Sequence, residues 1–408
     1  MSDFSSLANV RAALPGLDKA LPLACDWLAN VAQVHSEQIE PESNPRPLTH
    51  TWWKGAFRGE YHPATKRWDV FCPIWHGGQA VKALCLAERA TGDGRWRQTA
   101  VDGAEFILHN QVTKGPDAGL ILAYEDLPDK VCSSAILESL DGLFHLSDLT
   151  GDTRFQDAAV AAVMWLRDHA WVRGEGILRD WYDPGQGKFI DPYQIAQDGS
   201  VGRPLVDDAV WLTAARRGGE PSLRAVFYEI LERLLRDEHP AGNWVKYRPC
   251  QWETGQIHPR HAFWWGFPMI DAWRDTGETR WLDAAIRSGQ WYMQAQRLDG
   301  GLLRFTDLEF RTACFGHATS GIMSAAVMWI ELFKATAQTC WLEPLHRALD
   351  YACRMQFTQP QDPNLAGCIL EKVLEPDGTD ASPYYIRDLG TIFFIQAAAG
   401  LMLSAEGG

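Results

Sequence analysis

Five stretches of this chain repeat one template. AERATGDGRWRQTA (87–100), LSDLTGDTRFQDAA (146–159), AWRDTGETRWLDAA (272–285) and LFKATAQTCWLEPL (332–345) each read as a helix ending, a tight turn, an aromatic and a second helix. TAARRGGEPSLRAV (213–226) is a degenerate copy. A recurrence of roughly 60 residues is long for a solenoid unit and suits a helical hairpin with an elaborate return loop. Where the copy carries Gly, that residue supplies the left-handed conformation that ends the first helix, and an acid at the next position favours the start of the second. After each second helix comes a Gly-centred extended piece: DAGLILAYED, GEGILRDWYD, AGNWVKYRP, DGGLLRFTD and LAGCILEKV.

Helical periodicity in the flanks predicts about twelve helices, at 17–34, 75–91, 96–111, 131–149, 154–169, 205–216, 221–237, 261–275, 279–295, 316–335, 341–356 and 384–403. The last pairs with the first to close a ring. This is an all-α architecture, an (α/α)6 toroid of six hairpins, with residues 1–408 as a single domain. Residues 1–16 form an N-terminal extension, and 36–74 a loop segment between the first helix and the first inner helix. The short turns lie on one face. The long returns and the N-termini of the inner helices gather on the other, where side chains converge on a funnel and helix N-termini favour anions.

Composition narrows the function. With 46% hydrophobic and 22% charged residues the chain has the make-up of a soluble globular protein. Its 19 Trp exceed what core packing needs, and planar apolar faces are what sugar sites use. A formal net charge of −14 argues against nucleic-acid or anionic-membrane partners. An anionic small substrate needs Arg or Lys concentrated locally. Nine Cys without a CxxC pair suit reduced thiols, hence a cytoplasmic protein. No basic stretch followed by an apolar one opens the chain, and no apolar run reaches membrane-spanning length. No phosphate loop, zinc pattern or calcium loop is present, so no cofactor and no metal is expected. The nearest metal-like pair, His258 and His261, straddles Pro259 and lacks a carboxylate at helical spacing.

Candidate residues cluster at the predicted inner-helix starts. FCPIWHGG (71–78) puts Trp75 and His76 at the first. RPLVDDAVWL (203–212) places Asp207 and Asp208 at another; one serves as N-cap, and the other is left to point into the funnel, where an aromatic-lined site raises a carboxyl toward general-acid range. EDLPDKVCSS and LESLD contribute Asp126 and Asp129, read as solvated loop charges, and Glu138 and Asp141, which either face the pore or form salt bridges. In HPRHAFWWGF (258–267) Pro259 suits a first helical turn, with Arg260 at the mouth and His261, Trp264 and Trp265 just inside. His317, in TACFGHATSG, and Tyr384, Tyr385, Arg387 and Asp388, in SPYYIRDLG, sit at the last two inner-helix starts, and CQWETGQ offers Trp252 and Glu253 as rim residues.

The chain resembles the six-hairpin glycosidase superfamily over nearly its whole length. LFHLSDLTGDTRFQDAAVAAVMWLRDHAWVRGEGILRDWYDPGQG is similar to the second hairpin of unsaturated glucuronyl and rhamnogalacturonyl hydrolases, and TSGIMSAAVMWIELFKAT to their fifth. Counted from the following DTGE, Arg260 and Trp264 fall where those enzymes have the Arg and Trp of an R-G-Q-A-W motif, which the resemblance assigns to substrate binding. A guanidinium suits a uronate carboxylate and an indole face suits a sugar ring. The two key Asp positions of those hydrolases fall on Trp75 and Ala135, neither acidic, so the acid must come from elsewhere.

The expectation is a glycoside hydrolase acting on uronic-acid-containing oligosaccharides by general acid/base catalysis. Asp208 or Asp207 is then the acid and His261 positions water; Arg260, Trp264, Trp265, Trp75, His76, His317, Tyr385 and Arg387 bind substrate. Three alternatives stay open. PRHAFWW is similar to the P-G-H-x-x-E-W motif of N-acylglucosamine 2-epimerases, which implies His261 as a proton-transfer base, although Trp264 replaces the motif's Glu. In a uronate lyase, His317 or Tyr385 abstracts the proton next to a carboxylate neutralised by Arg. A non-catalytic carbohydrate-binding toroid needs the aromatics, but not acids, histidines and arginines delivered from several hairpins.

Overall fold

The computed structural model describes residues 4–39, 50–125, 127–312, 318–371 and 386–406. Its helices are α1 (Leu7–Ala12), α2 (Leu17–Trp27), α3 (Pro73–Thr91), α4 (Arg97–His109), α5 (Ser133–Thr150), α6 (Thr153–Trp165), α7 (Val210–Gly218), α8 (Pro221–Asp237), α9 (Arg260–Gly266), α10 (Pro268–Thr276), α11 (Thr279–Ala295), α12 (Thr319–Thr336), α13 (Leu342–Arg354) and α14 (Leu389–Glu406). Each predicted helix has a counterpart, and two differ in kind. The helix expected over 261–275 is divided into α9 and α10 where Pro268 removes a backbone donor. The one expected from 205 starts only at Val210, because Asp208 and Ala209 both adopt left-handed backbone (φ 52° each) in a short 3-10 turn over 207–209.

The repeated turn does what its residues dictate. Gly92, Gly151 and Gly277 close α3, α5 and α10 in left-handed conformation. Asp93 and Asp152 then accept the backbone N–H two residues on, at 3.1 and 3.0 Å. The aromatics that follow, Trp96, Phe155, Trp281 and Trp341, are buried, each stabilising its hairpin by about 1.5–3 kcal/mol.

The inner helices contact one another in a closed cycle: α3 with α5, α5 with the 207–209 turn and α7, that turn with α10, α9 and α10 with α12, α12 with α14, and α14 back with α3. A second cycle runs outside it. Gly55 (φ 91°) lies so close to the carbonyl of Asp102 in α4 that a Cβ would stand 2.0 Å away, and Gly367 (φ 105°) meets Leu23 in α2, where the distance would be 2.4 Å. Gly119, Gly176, Gly242 and Gly300 make the same contact with α6, α8, α11 and α13. Every return loop thus leans on the next outer helix, and the last leans on the first. Gln33, Gln111, Gln296 and Gln356 fasten four of these joints, each donating to a loop glycine carbonyl and to a carbonyl of the neighbouring outer helix.

The all-α expectation needs correction in the returns, where the described residues include nine short strands: β1 (Gly59–His62), β2 (Arg67–Val70), β3 (Val131–Cys132), β4 (Trp171–Val172), β5 (Ile177–Arg179), β6 (Trp181–Asp183), β7 (Lys188–Ile190), β8 (Gly202–Arg203) and β9 (Ile386–Arg387). They pair antiparallel in three sheets, β2-β1-β9, β3-β6-β7 and β4-β5-β8. A long return that is half covered must pair its backbone groups, and hairpins do so locally. The loop expected over 36–74 holds the β1–β2 hairpin.

Two compositional readings also change. Most of the 19 tryptophans are core residues. Helix α14 is long and apolar enough to cross a membrane by length and composition, but 67% of it is buried and it packs between α3 and α12.

Candidate active site

The N-terminal turns of the inner helices open into one cleft of about 830 Å³. Helix α3 supplies Trp75, α5 supplies Ser134 and Glu138, α9 supplies Arg260 and Trp264, α12 supplies Ser320 and α14 supplies Leu389. The return loops add Asp180, Trp181, His258, Arg304, Glu371 and others. Five arginines, at 203, 248, 260, 304 and 387, line this cleft of an acidic protein, which is the local concentration that an anionic ligand requires.

Arg260 is the unusual one. Its side chain is 5% exposed, and its guanidinium carbon lies 4.5 Å from the Phe393 ring centre, 4.8 Å from that of Trp264 and 5.6 Å from that of Trp75. Its Nη2 stands 3.6 Å from Oε2 of Glu138, and neither Nε nor Nη2 has a hydrogen-bond partner. Buried guanidinium donors left unpaired are costly, by about 1–3 kcal/mol or more for a charged group. Three of the other cleft arginines differ: Arg203 is paired with Asp180 at 2.6 Å and Arg387 with Glu60, while Arg248 lies over Trp252 and pairs with Glu253.

Glu138 faces the cleft from α5. Burial pushes its carboxyl well above the usual range, and the neighbouring Asp207 adds to this against the pull of Arg260 and Arg203. Trp264 donates its indole N–H to Oε2 of Glu138 at 3.1 Å. Both alternatives for this residue are realised together: it lines the cleft and pairs with Arg260 at 3.6 Å.

The expected acids lie behind that wall. Asp208 does not line the cleft: it accepts from Lys82 at 2.8 Å and from Gln79 at 2.9 Å. Lys82 also holds Asp141 at 2.9 Å, so Asp141 belongs to the same buried cluster. Asp207, 4% exposed, lines no part of the cleft either, and its Oδ2 has no hydrogen-bond partner. Burial chiefly pushes it up to about 7. The left-handed Asp208–Ala209 backbone sets this pair apart from a regular helix start.

His261 is likewise misplaced for chemistry. Its ring stacks on Trp265 at 4.1 Å, Nδ1 faces the Trp244 carbonyl at 3.0 Å and Nε2 the Arg248 carbonyl at 3.2 Å. Burial, aided by Arg203, pushes it down to about 3. Trp265 is core, edge-on to Trp244 and Tyr247. His76 is fully buried one position behind Trp75, with Nδ1 2.6 Å from Asp388. These three therefore do not reach the cleft.

His258, discounted in the sequence as half of a metal pair, does line the cleft. It lies parallel to Trp264 at 5.8 Å and accepts the Arg260 backbone N–H on Nδ1 at 3.3 Å. Burial first, then neighbouring cations, push it well below the ordinary histidine range, so it is neutral with its proton on Nε2. Asp129 pairs with Lys130 at the surface, as expected of a loop charge. Asp126, His317, Tyr384 and Tyr385 lie outside the described residues.

Glu371, Asp180 and Arg304 were not singled out in the sequence. All three stand four residues after the glycine of a return, at Gly367, Gly176 and Gly300, in the extended pieces that recur after each outer helix. That offset is the signal that finds them.

No family profile and no curated protein matches the chain. Solved structures do. An unsaturated glucuronyl hydrolase specific for heparin matches with a TM-score of 0.68 at 11% identity, over 95% of this chain and 97% of that one. Cellobiose 2-epimerase from Spirochaeta thermophila DSM 6192 matches at 0.67 and 12%, over 96% and 98%. The unsaturated glucuronyl hydrolase of Bacillus sp. GL1, responsible for the degradation of glycosaminoglycan, matches at 0.65 and 15%, over 94% and 95%. Likeness at these identities speaks to architecture, and the chain carries the fold of the six-hairpin glycosidase superfamily.

Proposed function

We propose that this protein is a cytoplasmic carbohydrate-active enzyme, a glycoside hydrolase of uronic-acid-containing oligosaccharides that works by general acid/base catalysis without a cofactor. The observation that carries the proposal is Arg260: a buried guanidinium with unpaired donors, in an aromatic cage, beside a carboxyl that burial raises well above its usual range. A uronate carboxylate would satisfy the Arg260 donors, and the Trp264 and Trp75 faces suit the C–H surface of the ring. Glu138, in place of Asp207 or Asp208, then gives its proton to the leaving glycosidic oxygen. It stands one helical turn beyond Ala135, where the resembling hydrolases have an aspartate. Buried thiols such as Cys25, Cys85 and Cys250, none in a disulfide, support a reducing compartment.

The test is incubation with saturated uronides, unsaturated uronide disaccharides and free aldoses, following products by chromatography and the double bond by ultraviolet absorbance. Cleavage of a saturated uronide is the expected result. A gain in absorbance would mean a lyase. Isomerised free sugar without cleavage would mean an epimerase, for which the enclosure of His261 leaves the proposed base without access to substrate.

A further inference from the structure

Glu138 and Glu371 face this cleft from opposite sides of the helix ring, one on an inner helix and the other on a return loop. In the contact cycle α3, α5, α7, α9–α10, α12, α14, helix α5 is separated from α12 by two members in either direction. Glu138 belongs to α5. Glu371 belongs to the return loop that runs over the first turn of α12, where its Oε2 accepts the Ser320 backbone N–H at 2.8 Å and its Oε1 the Ser320 hydroxyl at 2.8 Å. It is 4% exposed and lines the cleft.

We infer that Glu371 is the second catalytic carboxyl of this site, the base that takes a proton from the attacking water on the wall opposite Glu138. The assignment rests on the hydrolase reading above. In the step, the water oxygen bonds to the anomeric carbon and its proton passes to Glu371. The glycosidic C–O bond breaks with its electron pair on the leaving oxygen, which takes the proton of Glu138. Exchange with solvent then restores both groups.

The surroundings divide the two roles. Glu138 has an acid, Asp207, as its strongest charged neighbour, which adds to the upward push of burial. Glu371 is also raised by burial, but everything near it works the other way: the Ser320 hydroxyl and amide, then Arg387 and Arg260. These donors and cations favour the ionised form of Glu371 against the burial that raises it, which is the balance a general base requires. Room for it is reserved in α14, where a Cβ on Gly390 would lie 2.9 Å from Oε2 and 3.0 Å from the Glu371 Cβ. A helix cap alone does not account for the arrangement, since a Ser or Asp at the helix start caps without reaching into a cleft. Because the water attacks the anomeric carbon directly in this step, the expected stereochemical outcome is inversion.

The experiment uses the uronide that the protein cleaves and reads the anomer first formed by proton NMR, together with rates for Glu371→Gln and Glu371→Ala. Glutamine keeps an oxygen for the Ser320 amide, so folding is preserved while the base is lost. The expected results are an inverted first product, a drop in kcat of about 100- to 10,000-fold for Glu371→Gln with little change in KM, and a glycosyl azide formed by Glu371→Ala in azide. A cap without a chemical role would move neither the anomer nor the azide product. A retained anomer, or a Glu371→Gln variant nearly as active as the unsubstituted protein, overturns the assignment and leaves the hydrolase reading standing. An unsubstituted protein that cleaves none of the uronides overturns the hydrolase reading, and the assignment falls with it.

Discussion

The indole Nε1 of Trp264 donates to Oε2 of Glu138 at 3.1 Å, joining helix α9 to helix α5 across the floor of the cleft. A donor aimed at a carboxyl oxygen favours the ionised form, so it opposes the burial that raises Glu138. Trp264→Phe retains a ring for the sugar and removes the donor. Glu138 then holds its proton to higher pH, and because activity is lost as that proton is lost, the alkaline limb of the kcat profile moves up, by about one pH unit or less. Trp264→Ala also removes the ring face and raises KM well beyond the phenylalanine variant. A pH–rate profile of each variant on one uronide separates the two effects.

Asp207 makes stability depend on pH in an unusual direction. Its carboxyl is pushed up to about 7 in the folded protein, chiefly by burial, whereas in the unfolded chain it titrates near about 4. Between those values the folded state binds more protons than the unfolded state, so this group's contribution is fully present at low pH and is lost as pH rises through the folded value. Glu138, raised in the same sense, adds to the trend. The urea midpoint should fall from about pH 5 to about pH 8, and Asp207→Asn should flatten the slope. An unchanged slope in the variant would remove Asp207 as its source.

Lys82 holds the cluster beneath the cleft. It is buried, with Asp141 at 2.9 Å and Asp208 at 2.8 Å. Burial alone would lower its pKa, but the two carboxylates overcome that and hold the ammonium charged. Lys82→Met fits the volume and strands two buried acids, at a cost of about 3–5 kcal/mol. It should also release the left-handed Asp208–Ala209 backbone that Asp208 anchors, so the loss appears in urea unfolding and as increased amide exchange over 207–210.

The architecture was legible because it is periodic. A turn template that recurs five times, as TGD twice and in three variant forms, fixes where hairpins begin, and the Gly-centred pieces between them mark the joints that close the outer cycle, from Gly55 on Asp102 to Gly367 on Leu23. The short strands went unseen, since two- and three-residue pairings such as Val131–Cys132 with Trp181–Tyr182 leave no alternation to count. Site residues were legible only to the level of the helix turn. At the start of α9, Arg260 and Trp264 line the cleft, but His261 and Trp265, one position further in each case, turn into the core. One residue is about 100° of helix, and a sequence window does not fix the phase of a helix whose faces are all apolar. Asp207 and Asp208 were misread for a different reason: the left-handed backbone of residues 208 and 209 breaks the periodicity on which a helix start is judged.

Arg260 shows how this site trades stability for binding. Its Nε and Nη2 are buried without hydrogen-bond partners, and Glu138, the carboxyl paired with it at 3.6 Å, is raised well above its usual range by burial. Methionine at this position fills the space between Trp264, Phe393 and Trp75 with an apolar side chain. Arg260→Met should therefore leave the unliganded protein as stable as before, or more stable by about 1–3 kcal/mol, since unpaired buried donors are removed. The same change should raise KM for a uronide about 10- to 100-fold, the worth of a lost charge-assisted hydrogen bond. An analogue with a hydroxymethyl group in place of the carboxylate should lose far less. Arg260→Lys keeps the charge but not the planar fork, and should recover only part of the difference. Urea unfolding and paired kinetics on the two substrates test both halves, and equal KM effects on uronide and analogue would end the role of Arg260 as the carboxylate anchor.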